Sequence, residues 1–150
     1  MYERRGSSLK VFRFMSQEEF DKYLAGEKLI NTTDHRKKFA FTGSKGFCFF
    51  EYMDWDDDGV DGITPEYAYE FLSGIVTEDV VAVFETDKQL TESYGRYADP
   101  YGAFFDTIRM DEYCTTEYDN KSFHLIKYGH IERDDDFELK AVWNTERQEA

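Results

Sequence analysis

Two charged residues lie in stretches that otherwise have the apolar pattern of strands, and either could take part in chemistry. Arg13 belongs to Leu9–Met15, whose alternation predicts a short strand. Its guanidinium needs a carboxylate or a phosphate, because desolvating an unpaired ion is costly. Glu112 shares one predicted strand face with Met110 and Cys114. A carboxylate in that setting lies either at a cleft, where its surroundings tune its chemistry, or at a sheet edge.

The aromatic stretch at residues 39–51 is the third feature that could take part in chemistry. Aromatic runs favour strands, whereas Thr42, Ser44 and the neighbouring glycines would let a backbone or a ligand approach closely. We interpret this stretch as a central core strand that lines a cleft. The alternative is a hairpin that turns at Lys45-Gly46 and carries a purely structural aromatic face.

A helix is predicted immediately after the Arg13 strand. Ser16 and Glu19 have the spacing of a capping box, in which the hydroxyl and the carboxylate both accept hydrogen bonds from backbone N–H groups. Phe20 and Tyr23 recur on the buried side of this helix, and Gly26 supplies a left-handed stop.

The other segments predict a second helix and further strands. Thr64 and Pro65 are good residues for a helix start, and residues 80–84 form a β-branched run typical of a strand buried on both faces. Residues 89–98 are predicted to be partly helical, and further strands are predicted within residues 104–118, 122–131 and 137–143. The last follows an acidic turn at residues 134–136.

Together these elements predict one α+β domain over residues 1–150, with residues 1–8 as a loose N-terminal arm. Mixed, mostly antiparallel sheets would surround a cleft, with two or three short helices.

The composition restricts the environment and the partners of this chain. Its 150 residues carry a formal net charge of -14, which repels phosphate backbones and favours basic or neutral partners, although such charge also serves solubility. No apolar run reaches the roughly 18 residues of a membrane span, and we expect a cytoplasmic protein. Cys48 and Cys114 lack metal-ligand spacing, so we expect reduced, buried thiols and no metal site.

An acidic loop invites a calcium interpretation. Asp54, Asp56 and Asp58 occupy the first, third and fifth positions of an EF-hand-like loop. The register then fails, since Pro65 stands at the twelfth position, where a glutamate is required. A loop that binds Ca²⁺ without an EF-hand stays an open alternative.

The order of Arg13, Thr42-Gly43-Ser44 and Glu112 along the chain resembles the ADP-ribosyltransferase superfamily in its Arg-Ser-Glu form. In that family the first strand contributes an arginine, a later strand a Ser-Thr-Ser-like motif, and a late strand the catalytic glutamate. Thr-Gly-Ser departs from Ser-Thr-Ser, and Met110 replaces the first glutamate of the Glu-X-Glu pair found in arginine-modifying members. Glu117 is a rival for the catalytic position.

This resemblance implies an enzyme that takes NAD⁺ as substrate and transfers ADP-ribose to a macromolecule. The acidity favours a protein target over nucleic acid, as for a bacterial or phage effector or toxin. Glu112 would stabilise positive charge on the ribose as nicotinamide leaves. The implied cofactor-binding residues are Arg13 for a phosphate, Thr42 and Ser44 for orienting Glu112 or the nicotinamide amide, and Phe47 or Tyr52 for stacking on the nicotinamide ring.

A second hypothesis comes from charge alone. The chain would be a non-enzymatic acidic inhibitor, such as an immunity protein or a nucleic-acid mimic. Its aspartates would occupy the basic cleft of a toxin or nuclease through electrostatic complementarity.

Overall fold

A seven-stranded antiparallel sheet forms the centre of the computed structural model, which describes residues 8–34, 45–53, 63–72, 79–98 and 107–144. Its strands are β1 (Leu9–Met15), β3 (Phe47–Glu51), β4 (Val80–Thr86), β5 (Thr91–Ala98), β6 (Thr107–Thr115), β8 (Phe123–Arg133) and β9 (Leu139–Trp143). They lie in the order β5-β6-β3-β1-β4-β8-β9. A separate two-stranded sheet joins β2 (Leu29–Ile30) to β7 (Glu117–Tyr118).

One helix covers each face of this large sheet. Helix α1 (Gln17–Leu24) buries Phe20 and Tyr23 in a cluster with residues of β1, β3 and β4; we call this side the α1 face. Helix α2 (Pro65–Leu72) packs Phe71 against the opposite side, the α2 face. Neither helix is long and apolar enough to cross a membrane.

Strand β1 lies at the centre because its two faces feed two separate hydrophobic clusters. Val11 and Met15 point to the α1 face, whereas Phe12 and Phe14 point to the α2 face. The strand pairs with β4 along its whole length and with β3 on its other side. Burial on both faces explains the nearly continuous apolar run of β4.

The α+β class, the predominantly antiparallel pairing and two short helices are confirmed. Part of the central aromatic stretch is a core strand, β3, which lies between β1 and β6. In the described residues, one large sheet carries a helix on each face; this differs from the expected sheets around a cleft.

The predicted helix starts are observed with one correction. The Ser16 hydroxyl accepts a hydrogen bond from the Glu19 backbone N–H at 3.0 Å, and Gly26 has a positive φ of 84°. Thr64 Oγ1 accepts from the Tyr67 N–H at 3.2 Å. The Glu19 carboxylate, however, does not complete the capping box, because it accepts two hydrogen bonds from the Arg13 guanidinium of β1.

The prediction of partial helix at residues 89–98 is wrong. Thr91–Ala98 is a strand that pairs with β6 along its whole length, from Thr91 opposite Cys114 to Ala98 opposite Thr107. Thr and Tyr favour strands, and β6 supplies backbone hydrogen bonds that a local sequence pattern cannot reveal.

Candidate functional site

Arg13 is held on the α1 face by a fork of hydrogen bonds. Its Nε donates to Glu19 Oε2 at 2.8 Å and its Nη2 donates to Glu19 Oε1 at 2.9 Å, while Nη1 donates to the Cys48 carbonyl at 3.3 Å. The guanidinium carbon lies 5.0 Å from the centre of the Phe47 ring. Of the two partners that the sequence left open for Arg13, the structure therefore supplies the carboxylate.

Tyr118 completes this network, since its hydroxyl donates to Glu19 Oε2 at 2.7 Å. Burial alone would raise the pKa of Glu19, but the hydrogen bonds and charge of Arg13 lower it below its usual 4.5. Burial would likewise lower the pKa of Arg13, but the hydrogen bonds and charge of Glu19 raise it above its usual value. Both groups stay charged at neutral pH, so the fork of Arg13 is committed to a partner within the chain.

Glu112 lies on the opposite face of the sheet from Arg13. Phe49, which shares the Arg13 face, stands opposite Tyr113 in the β3–β6 register. Because neighbouring residues of a strand point to opposite sides, Glu112 points to the α2 face. Arg13 and Glu112 consequently do not meet in one pocket.

The two aromatic residues implied by the resemblance, Phe47 and Tyr52, lie on different faces of the sheet. Phe47 is buried in the α1-face cluster and Tyr52 in the α2-face cluster. Thr42 and Ser44 lie outside the described residues, as do the aspartates of the acidic loop at residues 54–58. Glu117, the rival acid, lies in β7 with its carboxylate 3.8 Å from the Lys28 ammonium.

What the structure does bring together around Glu112 is a pair of thiols. Cys48 and Cys114 stand opposite each other across β3 and β6, and their sulfurs are 3.3 Å apart. The ligand atoms of Cys48, Glu112 and Cys114 all lie within 4.8 Å of one another, and Glu112 is only 1% exposed. We call these three residues the thiol–carboxylate cluster.

Glu112 also contributes to a depression of about 230 Å³, which lies where β5 and β6 run together. Its lining residues are Glu92, Ser93, Tyr94, Asp111, Glu112 and Tyr113. Only part of the cluster is visible in the sequence, namely Glu112 and Cys114 at alternate positions of one strand. Cys48 is 66 residues away from Cys114 and reaches it only through strand pairing.

The second unusual feature is the turn between β8 and β9 at residues 134–138, which we call the acidic tip. The Asp134 carbonyl accepts from the Phe137 N–H, and the Asp134 N–H donates to the Glu138 carbonyl, both at 2.9 Å. This is a tight turn closed by a left-handed residue, a position that glycine or asparagine normally fills. Here the residue is Phe137, with φ of 65° and a side chain that is 75% exposed.

Further hydrogen bonds fix the acidic tip. Asp134 Oδ1 accepts from the backbone N–H groups of Asp136 and Glu138, each at 2.9 Å, and Arg133 donates to the Phe137 carbonyl at 2.9 Å. The tip residues are all exposed, and acidic residues precede and follow Phe137 in the sequence. The ring is therefore presented on a rigid, anionic support.

Comparison with protein-family models, with curated proteins and with solved structures finds no match to this chain.

Proposed function

We propose that this protein is a non-enzymatic binding module that inserts its acidic tip into a basic, partly apolar surface of a partner protein. This is the mode of action of an acidic inhibitor. The observation that carries the proposal is Phe137, an aromatic residue held exposed in a left-handed conformation amid carboxylates.

The left-handed backbone at residue 137 closes the turn, but a phenylalanine side chain at that position does not favour folding. A side chain with a Cβ costs about 1–2 kcal/mol in the left-handed region, which glycine enters almost freely. An exposed ring offsets little of that cost, whereas burying the ring in a partner would stabilise the complex by about 1.5–3 kcal/mol. Aromatic anchors surrounded by polar groups are typical of binding hot spots, and a fixed backbone reduces the entropy lost on docking.

Charge selects the class of partner. A net charge of -14 accelerates encounter with a basic surface and repels nucleic-acid phosphates. The tip adds the exposed carboxylates of Asp134, Asp135, Asp136 and Glu138 around the ring. A cationic protein surface with an apolar pocket at its centre is the complement of this arrangement.

ADP-ribose transfer from NAD⁺ stays a hypothesis with less support. It requires a free arginine fork for a cofactor phosphate and a glutamate facing the same pocket. Arg13 instead binds Glu19, and Glu112 lies across the sheet. Incubation with NAD⁺ and cell lysate tests this hypothesis: as a binding module, the wild type should release no more nicotinamide than Glu112→Gln.

The acidic tip is tested by separating its binding role from its folding role with Phe137→Gly. Glycine suits the left-handed position, so this variant should be as stable as the wild type or more stable. A partner captured by the wild type should bind Phe137→Gly at least about tenfold more weakly, given the loss of one buried aromatic anchor. Calorimetric titration with the purified partner measures both affinities.

The matched control is Leu24→Ala, which removes another exposed apolar side chain, 54% accessible, far along the chain in α1. This variant should bind as tightly as the wild type. Added salt should weaken the wild-type complex, because the encounter is electrostatic. The proposal would be refuted if the captured partner bound Phe137→Gly with wild-type affinity, or if its affinity for the wild type did not change with salt.

A further inference from the structure

We infer that the thiol–carboxylate cluster of Cys48, Glu112 and Cys114 is a binding site for a thiophilic divalent cation, for which Zn²⁺ is the best fit. The inference is independent of the acidic tip, which lies between β8 and β9, whereas the cluster lies on β3 and β6. It also revises the expectation from sequence spacing that this chain carries no metal site.

The geometry already approaches that of a zinc site. Three potential ligand atoms lie within 4.8 Å of one another on two directly paired strands. Zinc bonds sulfur at about 2.3 Å and carboxylate oxygen at about 2.1 Å, so two tetrahedral sulfur ligands stand roughly 3.8 Å apart. The two sulfurs here are 3.3 Å apart, and small side-chain rotations would separate them sufficiently.

The strands hold these side chains in place before any ion arrives. Glu112 and Cys114 are 1% and 2% exposed, and Cys48 is half-buried. Gly46, which precedes β3, has φ of 77° and lies so close to the Thr115 carbonyl that an added Cβ would stand 2.5 Å from it. This close approach fixes β3 against β6 beside the cluster, and a preformed site needs little reorganisation on binding.

The donor set determines which ion fits. Two sulfurs and one carboxylate oxygen suit Zn²⁺ or Cd²⁺, whereas Mg²⁺ and Ca²⁺ require oxygen ligands throughout. On binding, each thiol gives its proton to solvent, two metal–sulfur bonds and one metal–oxygen bond form, and no electron is transferred. A water molecule would occupy the fourth position.

The direct test is titration of the reduced protein with Zn²⁺, followed by calorimetry, and with Cd²⁺, followed by ultraviolet absorption. A sulfur-to-cadmium charge-transfer band appears only when thiolates bind the ion. We expect one ion per chain. Cys48→Ser and Cys114→Ser should each weaken binding by about 100-fold or more, and Glu112→Gln by roughly tenfold, since lost ligands should matter at least as much as lost outer partners.

Glu92→Gln is the matched control, because Glu92 lines the same depression as Glu112 but is exposed and outside the cluster. It should bind Zn²⁺ as the wild type does. If Cys114→Ser fails to fold, Cys48→Ser alone tests the role of the thiols, because Cys48 is only half-buried. The inference is overturned if the reduced wild type binds no Zn²⁺, whether or not its thiols form a disulfide in air. It is also overturned if the cysteine substitutions leave Zn²⁺ binding unchanged.

Discussion

At the scale of single residues, the junction between β1 and α1 depends on one ion pair. Replacing Glu19 by Gln would leave the Arg13 guanidinium in an apolar setting with neutral acceptors only. Removing one partner of a buried pair costs about 3–5 kcal/mol, and we expect Glu19→Gln to fall near the lower end because the pair is not fully buried. Urea unfolding at neutral pH measures the loss.

The neighbouring residue provides the control for this prediction. Glu18 forms an exposed pair with Lys22, one turn further along α1, at 3.4 Å. Glu18→Gln should therefore change the free energy of unfolding by no more than about 0.5 kcal/mol. Equal losses for the two variants would show that Arg13 gains nothing specific from Glu19.

The same carboxylate predicts a dependence of stability on pH. The folded-state pKa of Glu19 lies below the usual 4.5, so the unfolded chain binds its proton first as pH falls. The contribution of Glu19 is complete above about 4.5 and is lost as pH falls through the folded-state pKa. Urea unfolding at decreasing pH should show a steeper loss for the wild type than for Glu19→Gln, whereas parallel curves would contradict the assignment.

The ion pair also shows how far residue-level prediction reaches. That Arg13 needs a counter-charge follows from its apolar neighbours, but the sequence assigned Glu19 to the capping box. A local sequence pattern cannot show whether the Glu19 carboxylate will accept from a nearby backbone N–H or from the guanidinium of Arg13, which the fold brings within hydrogen-bond distance. The Cys48–Cys114 contact was out of reach for a related reason, since it depends on the register of two strands distant in sequence.

At the scale of elements, two glycines with positive φ differ in how closely other atoms approach them. An added Cβ at Gly26 would meet the nearest atom, Asn120 Nδ2, at 3.7 Å; at Gly46 it would stand 2.5 Å from the backbone oxygens of Asn31 and Thr115. We predict that Gly26→Ala costs about 1–2 kcal/mol from backbone conformation alone. Gly46→Ala should cost clearly more, because β3 must also move.

Thermal unfolding of the two variants measures this difference. A Gly46→Ala variant as stable as Gly26→Ala would contradict the prediction. It would mean that the chain at Gly46 can shift away from Thr115 without loss of stability. Such a shift would also separate Cys48 from Cys114 across the β3–β6 pair.

Elements with strong local signals were predictable, and elements defined by their partners were not. Helix α1 carries its own N-cap, and β4 is β-branched enough to be recognised without knowledge of its neighbours. Strand β5 was mistaken for partial helix because a Gly and mixed polar residues hide its alternation. The placement of Arg13 and Glu112 on opposite faces likewise required the order of the strands in the sheet.

At the scale of the whole molecule, 32 acidic residues against 18 basic ones should oppose compaction. The screening length falls from about 30 Å at 0.01 M salt to about 8 Å at 0.15 M, so added KCl should weaken repulsion across the domain. We therefore predict that Tm rises over this range. Calorimetric scans at fixed pH measure it.

A variant with fewer negative charges separates this general repulsion from specific ion binding. Glu27→Lys combined with Asp87→Lys changes two exposed positions away from the acidic tip and the thiol–carboxylate cluster. Each substitution shifts the net charge by two, so -14 becomes -10. If self-repulsion dominates, the variant should start from a higher Tm at low salt and gain less from KCl. A wild-type Tm that falls with salt would instead mean that attractive pairs such as Arg13–Glu19 outweigh the repulsion, which would weaken the link between net charge and partner choice.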